Sequence, residues 1–344
     1  MLILNKFLII FFFSGIFYFG KYLNKKILFN FKENLIFFYS LILFLIAAFI
    51  NVSFFFNLEH KNILNILFYA FILISILNYK NLLENIKSFF ILIKEEKNKN
   101  YLVLIFLILI YLLISYLPTT DPDSLDYHLG APDKWLKEGG FFKEFYWLNY
   151  RIIGFGEFLN YFGLVVNIKN FASITQFIYL ILFCHFLKAN NIFAKNQLEQ
   201  NLIYLALLSM PIILSLIFSQ KFFLMPCLIV VSSLIYCLKN IKTPKKINFF
   251  LIISSIYFSF LVKLNFIVYF FIINILFLKL FKTKTFLKVI LYNIILIIII
   301  SPFYLRNFIF YGDPISPFLE FIKVNPDISY VNFANYLREY ETDT

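Results

Sequence analysis

The sequence predicts an all-α polytopic membrane protein, on three observations. Of its 344 residues, 61% are hydrophobic and only 15% are charged. The mean hydropathy is +0.82. Apolar runs of about 17–25 residues, long enough to cross a roughly 30 Å hydrocarbon layer as a helix, recur along almost the whole chain. Little remains for a soluble domain, so residues 1–344 read as a single transmembrane domain with outer segments at 118–169 and 304–344.

About ten spans are expected, near 2–20, 35–56, 62–79, 101–117, 170–187, 201–218, 222–238, 247–262, 264–281 and 287–303. The first reads as a span rather than a cleaved signal. Only Lys6 precedes its apolar stretch, Lys21, Lys25 and Lys26 follow it, and no small-residue cleavage site is evident. Pro211 and Pro226 are the prolines well inside these runs. Cys184, Cys227 and Cys237 lie in or beside apolar runs without metal spacing and read as small core hydrophobes.

The orientation follows from charge. With both termini outside, the inner connections 20–34, 79–100, 188–200, 239–246 and 279–288 hold 19 of the 31 Lys+Arg but only five of the 19 acids. Basic residues beside spans mark cytoplasmic loops. The formal net charge of +12 is therefore a topology signal, and nucleic acid is not an expected partner.

The segment 118–169 is too long for a plain connection and too aromatic for a disordered one. It carries seven acids and both tryptophans, Trp135 and Trp147. A helix is expected over 132–138, with Pro132 at its first position and Gly139-Gly140 as its stop. Residues 156–167 form an apolar stretch too short to cross and are expected to lie along the interface. The tryptophans and the tyrosines around 146–161 read as interface anchors before sugar-stacking platforms. Neither a glycine-rich phosphate loop nor a zinc pattern occurs. No cofactor is identified.

The most informative stretch runs from Thr119 to Trp135, where Asp121, Asp123, Asp126, Tyr127, His128 and Asp133 gather just after the fourth span. Three readings stay open on residue chemistry alone. A partly desolvated carboxylate would be a general base for a hydroxyl. Asp121, Asp123 and Asp126 would offer oxygen ligands to calcium, although no glycine stands at the expected loop position. The third is a solvated loop with an N-cap aspartate. His128 is by default a hydrogen-bonded structural histidine, and His60 and His185 have no nameable partner. Asp313, in a Gly-Asp-Pro turn, reads as a turn residue.

The run Asp-x-Asp-Ser-Leu-x-Tyr-His-Leu-x-x-Pro-x-x-Trp, from Asp121 to Trp135, resembles the first large outer loop of bacterial membrane glycosyltransferases of the GT-C superfamily. These are relatives of the protein O-mannosyltransferases and the lipid A aminoarabinose transferase. Leu305-Arg306-Asn307 followed by Gly312-Asp313-Pro314-Ile315-Ser316-Pro317-Phe318 is similar to a stretch many of them carry after a late span. The resemblance covers about 118–318 and implies a GT-C-like fold with a large outer loop carrying short interfacial helices. It also implies an inverting transferase that takes a sugar from a polyprenyl-phosphate carrier, embedded in membrane lipid. Its place would be the bacterial inner membrane, its active site on the periplasmic side.

Aligning Tyr127 with the family's tyrosine implies Asp123 as catalytic base. Ser124 then stands where a second acid is usual, and Asp121 and Asp126 are the candidates for that acid's role. Tyr127 and His128 join the expected substrate-binding set. An anionic leaving group needs fixed cations, and Lys221, Lys263 and Arg306, each at the outer end of an apolar run, are the candidates. The alternative for each is snorkelling to lipid phosphate. A transporter or flippase of lipid-linked saccharides is the competing function, and it predicts helices broken in paired positions.

Overall fold

The computed structural model describes residues 2–27, 31–81, 83–84, 99–143, 149–152, 154–190, 197–239, 246–280, 283–316, 319–323 and isolated positions beyond 327. Trp147, Phe318 and most of the basic inner connections, Lys242 and Lys245 included, lie outside the described residues. Every element described is helical. In chain order these are α1 (Leu2–Ile27), α2 (Phe31–Phe55), α3 (Lys61–Leu77), α4 (Lys99–Ser115), α5 (Gly130–Glu138), α6 (Asn149–Ile152) and α7 (Phe155–Val165). There follow α8 (Phe171–Asn190), α9 (Gln197–Leu208), α10 (Pro211–Phe218), α11 (Leu224–Lys239), α12 (Lys246–Val262), α13 (Ile267–Leu280) and α14 (Thr283–Tyr311).

Three helices are long and apolar enough to cross a membrane, within Asn34–Phe55, Phe171–Asn190 and Val289–Tyr311. A fourth span is possible if the bent pair Asn201–Leu208 and Pro211–Phe218 counts as one. Six further apolar helices, such as Lys61–Leu77 and Leu224–Lys239, are shorter. The helical membrane class stands, with fewer full-length spans than the ten expected.

α2 forms the centre, packed against α1, α7, α8, α12 and α14. Its sequence explains the position: Leu35-Ile36-Phe37-Phe38 and Ile46-Ala47-Ala48 are buried around the helix, and a helix apolar on all sides is an interior one.

Two breaks in the helices have local causes. Pro211 cannot continue α9, so the chain bends by 60° there, and the Leu208 carbonyl freed by the bend accepts the Tyr111 hydroxyl at 2.6 Å. Pro302 lies inside α14, whose helix continues eight residues past the expected end of the last span. The carbonyl that Pro302 leaves unpaired, Ile298, accepts the Ser301 hydroxyl at 2.8 Å. Arg306 and Asn307 are therefore helical residues, and the last outer segment begins near Gly312 rather than at 304.

Two expectations for the long loop are corrected. Residues 156–167 do not lie along an interface: Phe155 to Gly163 of α7 are buried on every side, because α7 packs on α2, α3, α5, α8 and α12. Trp135 is no surface anchor either. It is fully buried, stacked on Phe158 at 5.2 Å and edge-on to Phe54 at 5.6 Å, and its indole N–H donates to the Tyr150 hydroxyl at 2.6 Å. Tyr161, equally buried, meets His60 Nε2 at 2.5 Å. The expected helix over 132–138 is α5, and Gly139 ends it in the left-handed conformation, φ 83°.

Candidate functional site

The acidic motif begins with a helix start. Asp121 accepts from the backbone N–H and hydroxyl of Ser124 at 3.0 and 2.5 Å, an N-cap geometry that satisfies an otherwise orphaned donor. The chain then widens into a π-helical turn over Ser124–Leu129 before α5, a distortion common at functional positions. The turn leaves Asp126 exposed, Tyr127 half-buried, and Ser124 and His128 buried.

Opposite this turn runs the link between α10 and α11, held by two buried amides. Gln176 of α8 donates to Leu216 O at 2.7 Å and accepts from the N–H groups of Phe223 and Leu224 at 3.2 and 3.0 Å. Asn160 of α7 bridges His128 O and Gln220 O at 2.8 and 3.1 Å, and Gln220 N–H donates to the Ser124 hydroxyl at 3.0 Å. Lys221 is thereby fixed against the acids: its ammonium lies 2.9 Å from Asp123 Oδ2 and 3.1 Å from Asp121 Oδ2.

Sequence reasoning assigned Lys221 to a phosphate, and Asp121, Asp123 and Asp126 to a possible calcium ion. In the structure the two nearer aspartates gather around that ammonium group. Among the described residues no three His, Cys, Asp or Glu side chains converge as metal ligands. Burial raises the Asp121 carboxyl, but its bonds from Ser124 and Lys221 outweigh this and hold it below the usual carboxylate range. Asp123 remains 66% exposed in this pair, and Asp126 is exposed as well.

Behind the turn lies a pair that the sequence reading missed. His128 Nδ1 and Glu157 Oε1 are 2.5 Å apart, with 1% and 4% of their side chains exposed. Glu157 Oε2 accepts the N–H of Gly154 at 2.6 Å. Gly154 belongs there because a Cβ would sit 2.2 Å from the Leu261 carbonyl. For Glu157, burial works against the charge, but the His128 hydrogen bond, Lys263 and the Gly154 N–H outweigh it and keep the carboxyl ionised. Burial lowers the His128 imidazole in spite of Glu157, so a neutral ring donates through Nδ1. Its Nε2 is buried without a hydrogen-bond partner among the described residues. One signal for Glu157 stood in the sequence: an acid inside Phe155-Gly156-Glu157-Phe158-Leu159 must be buried, and a buried acid needs partners.

Glu157 and Tyr127 open onto a cavity of about 250 Å³, also lined by Lys263, Asn265, Arg151, Asn307 and Ser316 among apolar walls from α12 and α14. Its size is just below the roughly 300–1,000 Å³ usual for small-molecule sites. Lys263, in the turn between α12 and α13, makes no ion pair within 4 Å among the described residues. Desolvation lowers its ammonium, while the charge of Glu157 acts the other way. Burial, with Glu157 and the nearby aspartates, pushes the Tyr127 hydroxyl up to about 12. Arg151 stacks over Tyr311 at 4.4 Å and lies 3.9 Å from Glu320. This ties α6 to the segment after α14.

Of the expected cations, Lys263 therefore faces the cavity, and Lys221 pairs with the acids beside it. Arg306 does neither. It is buried between Phe141 and Phe303, with ring centroids at 4.7 and 4.9 Å, and two of its nitrogens bond Asn307 Oδ1. Asp313 is a buried turn residue as expected, accepting from Ile315 and Leu319 N–H groups at 2.9 and 3.0 Å.

Residues 12–343 match the family described as the DUF1420 N-terminal domain. No curated protein and no solved structure matches the chain.

Proposed function

The chain belongs to the DUF1420 family, and on the geometry around its acidic loop we propose that it is an inverting glycosyltransferase using a polyprenyl-phosphate-linked sugar. The observation that carries the proposal is the juxtaposition of an exposed carboxylate on a fixed ammonium, Asp123 on Lys221, with a cavity that holds the cation Lys263 and the acid Glu157. The likeness of Asp121 to Trp135 to the GT-C outer loop supports the same reading. Under it the protein spans the bacterial inner membrane about ten times, the loop 118–169 faces the periplasm, and membrane lipid surrounds the bundle.

Asp123 takes the proton of the acceptor hydroxyl, whose oxygen bonds to the anomeric carbon as the bond to the carrier phosphate breaks. The carrier leaves as a phosphate monoester beside Lys263, where a fixed cation stabilises the growing charge without reorganisation. Of the three candidate bases, Asp121 is committed to the N-terminus of the turn, and Asp123 combines exposure with a fixed partner. Asp126 stays a candidate without a role in this scheme.

The test is release of polyprenyl phosphate from a polyprenyl-phosphate hexose by the purified protein in lipid nanodiscs. Saturable, Asp123-dependent release supports the reading. Neither binding nor release of any such donor would sink it. A flippase is the second reading, favoured by one observation, the 60° break between α9 and α10. It predicts movement of the lipid across a vesicle membrane with the sugar bond intact.

A further inference from the structure

We propose that Glu157 is the residue that selects the sugar, accepting hydrogen bonds from ring hydroxyls in the cavity and excluding acidic sugars. This rests on the glycosyltransferase reading and adds to it a substrate class, a neutral hydroxylated ring.

An ionised carboxylate has about four lone-pair positions. In Glu157 two are filled, one on each oxygen, by His128 and Gly154. Those two bonds fix the plane of the group, and the acid lines the cavity with acceptor capacity to spare. The remaining lone pairs have no donor among the described residues.

The rest of the lining points to the same ligand. Ser316 is 2% exposed, and its hydroxyl has no hydrogen-bond partner among the described residues, a condition that disfavours an empty site. Asn307 lines the same wall, and Phe260 and Phe303 supply apolar faces. Lys263 offers a positive charge without an ion-pair partner among the described residues. A ligand that satisfies this inventory carries an anionic group for Lys263, several hydroxyls for Glu157, Ser316 and Asn307, and ring carbons for the aromatic walls. A lipid phosphate alone would satisfy Lys263 and leave Glu157 facing an anion. A uronic acid would set a second carboxylate against a buried one, which is costly at short range in a desolvated site.

The experiment measures binding of farnesyl phosphate, farnesyl-phosphoryl-glucose and farnesyl-phosphoryl-glucuronate to the full chain in nanodiscs. Wild type should bind the glucose ester roughly tenfold or more tighter than the bare phosphate, as expected for hydrogen bonds to a charged acceptor. It should bind the glucuronate ester no better than the phosphate. Glu157→Gln should lose most of the glucose increment, admit the glucuronate ester, and keep or raise affinity for farnesyl phosphate, since the carboxylate facing that anion is gone. A merely structural role would weaken all three together.

Should Glu157→Gln fail to fold, Glu157→Asp keeps the charge but withdraws it by one methylene. It should still exclude glucuronate and lose the glucose increment. Wild type that binds glucose ester and bare phosphate equally, or either variant that keeps the full increment, overturns the role of Glu157 while the phosphate reading survives. Wild type that binds none of the three overturns both.

Discussion

His128 Nδ1 and Glu157 Oε1, 29 positions apart in the chain, meet at 2.5 Å as a buried pair at the wall of the cavity. This contact fastens the π-helical turn of the acidic motif to α7. Both groups depart from their ordinary titration in the same sense: burial lowers the imidazole, and its hydrogen-bond donors hold the carboxyl down against burial.

Stability should consequently fall on acidification in two stages. An imidazole held low in the folded state contributes stability that is intact above the ordinary histidine value of about 6.5 and is lost as pH drops toward the folded value. A carboxyl held low contributes stability that is intact above about 4.3 and is lost as pH drops further. Melting temperature in detergent, followed from pH 8 to 4, should start to decline near 6.5. In His128→Asn the first stage should shrink to the part contributed by His60, whose imidazole burial also lowers. A flat wild-type profile across both ranges would contradict the assignment.

Asp123→Asn should lower turnover by roughly 10²–10⁴, the range for loss of a general base, with donor affinity retained. Asp121→Ala should instead cost about 1 kcal/mol of stability through the lost cap. Turnover and melting, measured on both variants and on Asp126→Asn, separate the three acids. Near-normal turnover in Asp123→Asn would reassign the base.

Lys263→Gln should weaken binding of polyprenyl phosphate, because the ammonium lines the cavity. Arg306→Lys should leave that affinity unchanged. It should lower the melting temperature, since lysine cannot fill the slot between Phe141 and Phe303 or keep both bonds to Asn307. Isothermal titration with the lipid phosphate distinguishes them, and a loss confined to Arg306→Lys would reverse the assignment.

Trp135→Ala should destabilise by about 3–5 kcal/mol, the range for emptying a buried aromatic site. The same substitution in a surface anchor would change little. Denaturant titration of the detergent-solubilised protein reads the difference directly.

Reporter fusions at residues 92, 193 and 243 should report cytoplasm, and fusions at 140 and 335 should report periplasm, from the bias of Lys and Arg toward the expected inner connections. A cytoplasmic signal at 140 would place the acidic loop on the wrong side for the proposed donor.

The legible part of this fold was what periodicity and single-residue chemistry carry. The apolar helices stood in hydropathy, α5 in Pro132 and Gly139, the bend at Pro211 in its ring. The pairing of Lys221 with Asp123 was partly legible, since both stood among the candidates for one site. What partners them was not: the contact spans 98 positions, and Gln176 and Asn160, which position it, look like ordinary polar residues in apolar helices. Arg306 misled because a cation at the end of an apolar run reads the same whether it faces lipid phosphate or two buried rings. Helix α7 misled because its length argued for an interface, while its neighbours decided for the core.

The missing side chain at Gly154 sets a dimension. Its N–H holds Glu157, and its Cα passes so close to the Leu261 carbonyl that a Cβ would stand 2.2 Å away, two residues before Lys263. A single added methyl would act as a wedge there, prising α7 from α12 and with it Glu157 from Lys263. The spacing between the acid and the cation is thus gauged by one backbone contact remote from the exposed aspartates. Replacement by alanine would be felt first as a change in which ligands fit, and only afterwards as a change in chemistry.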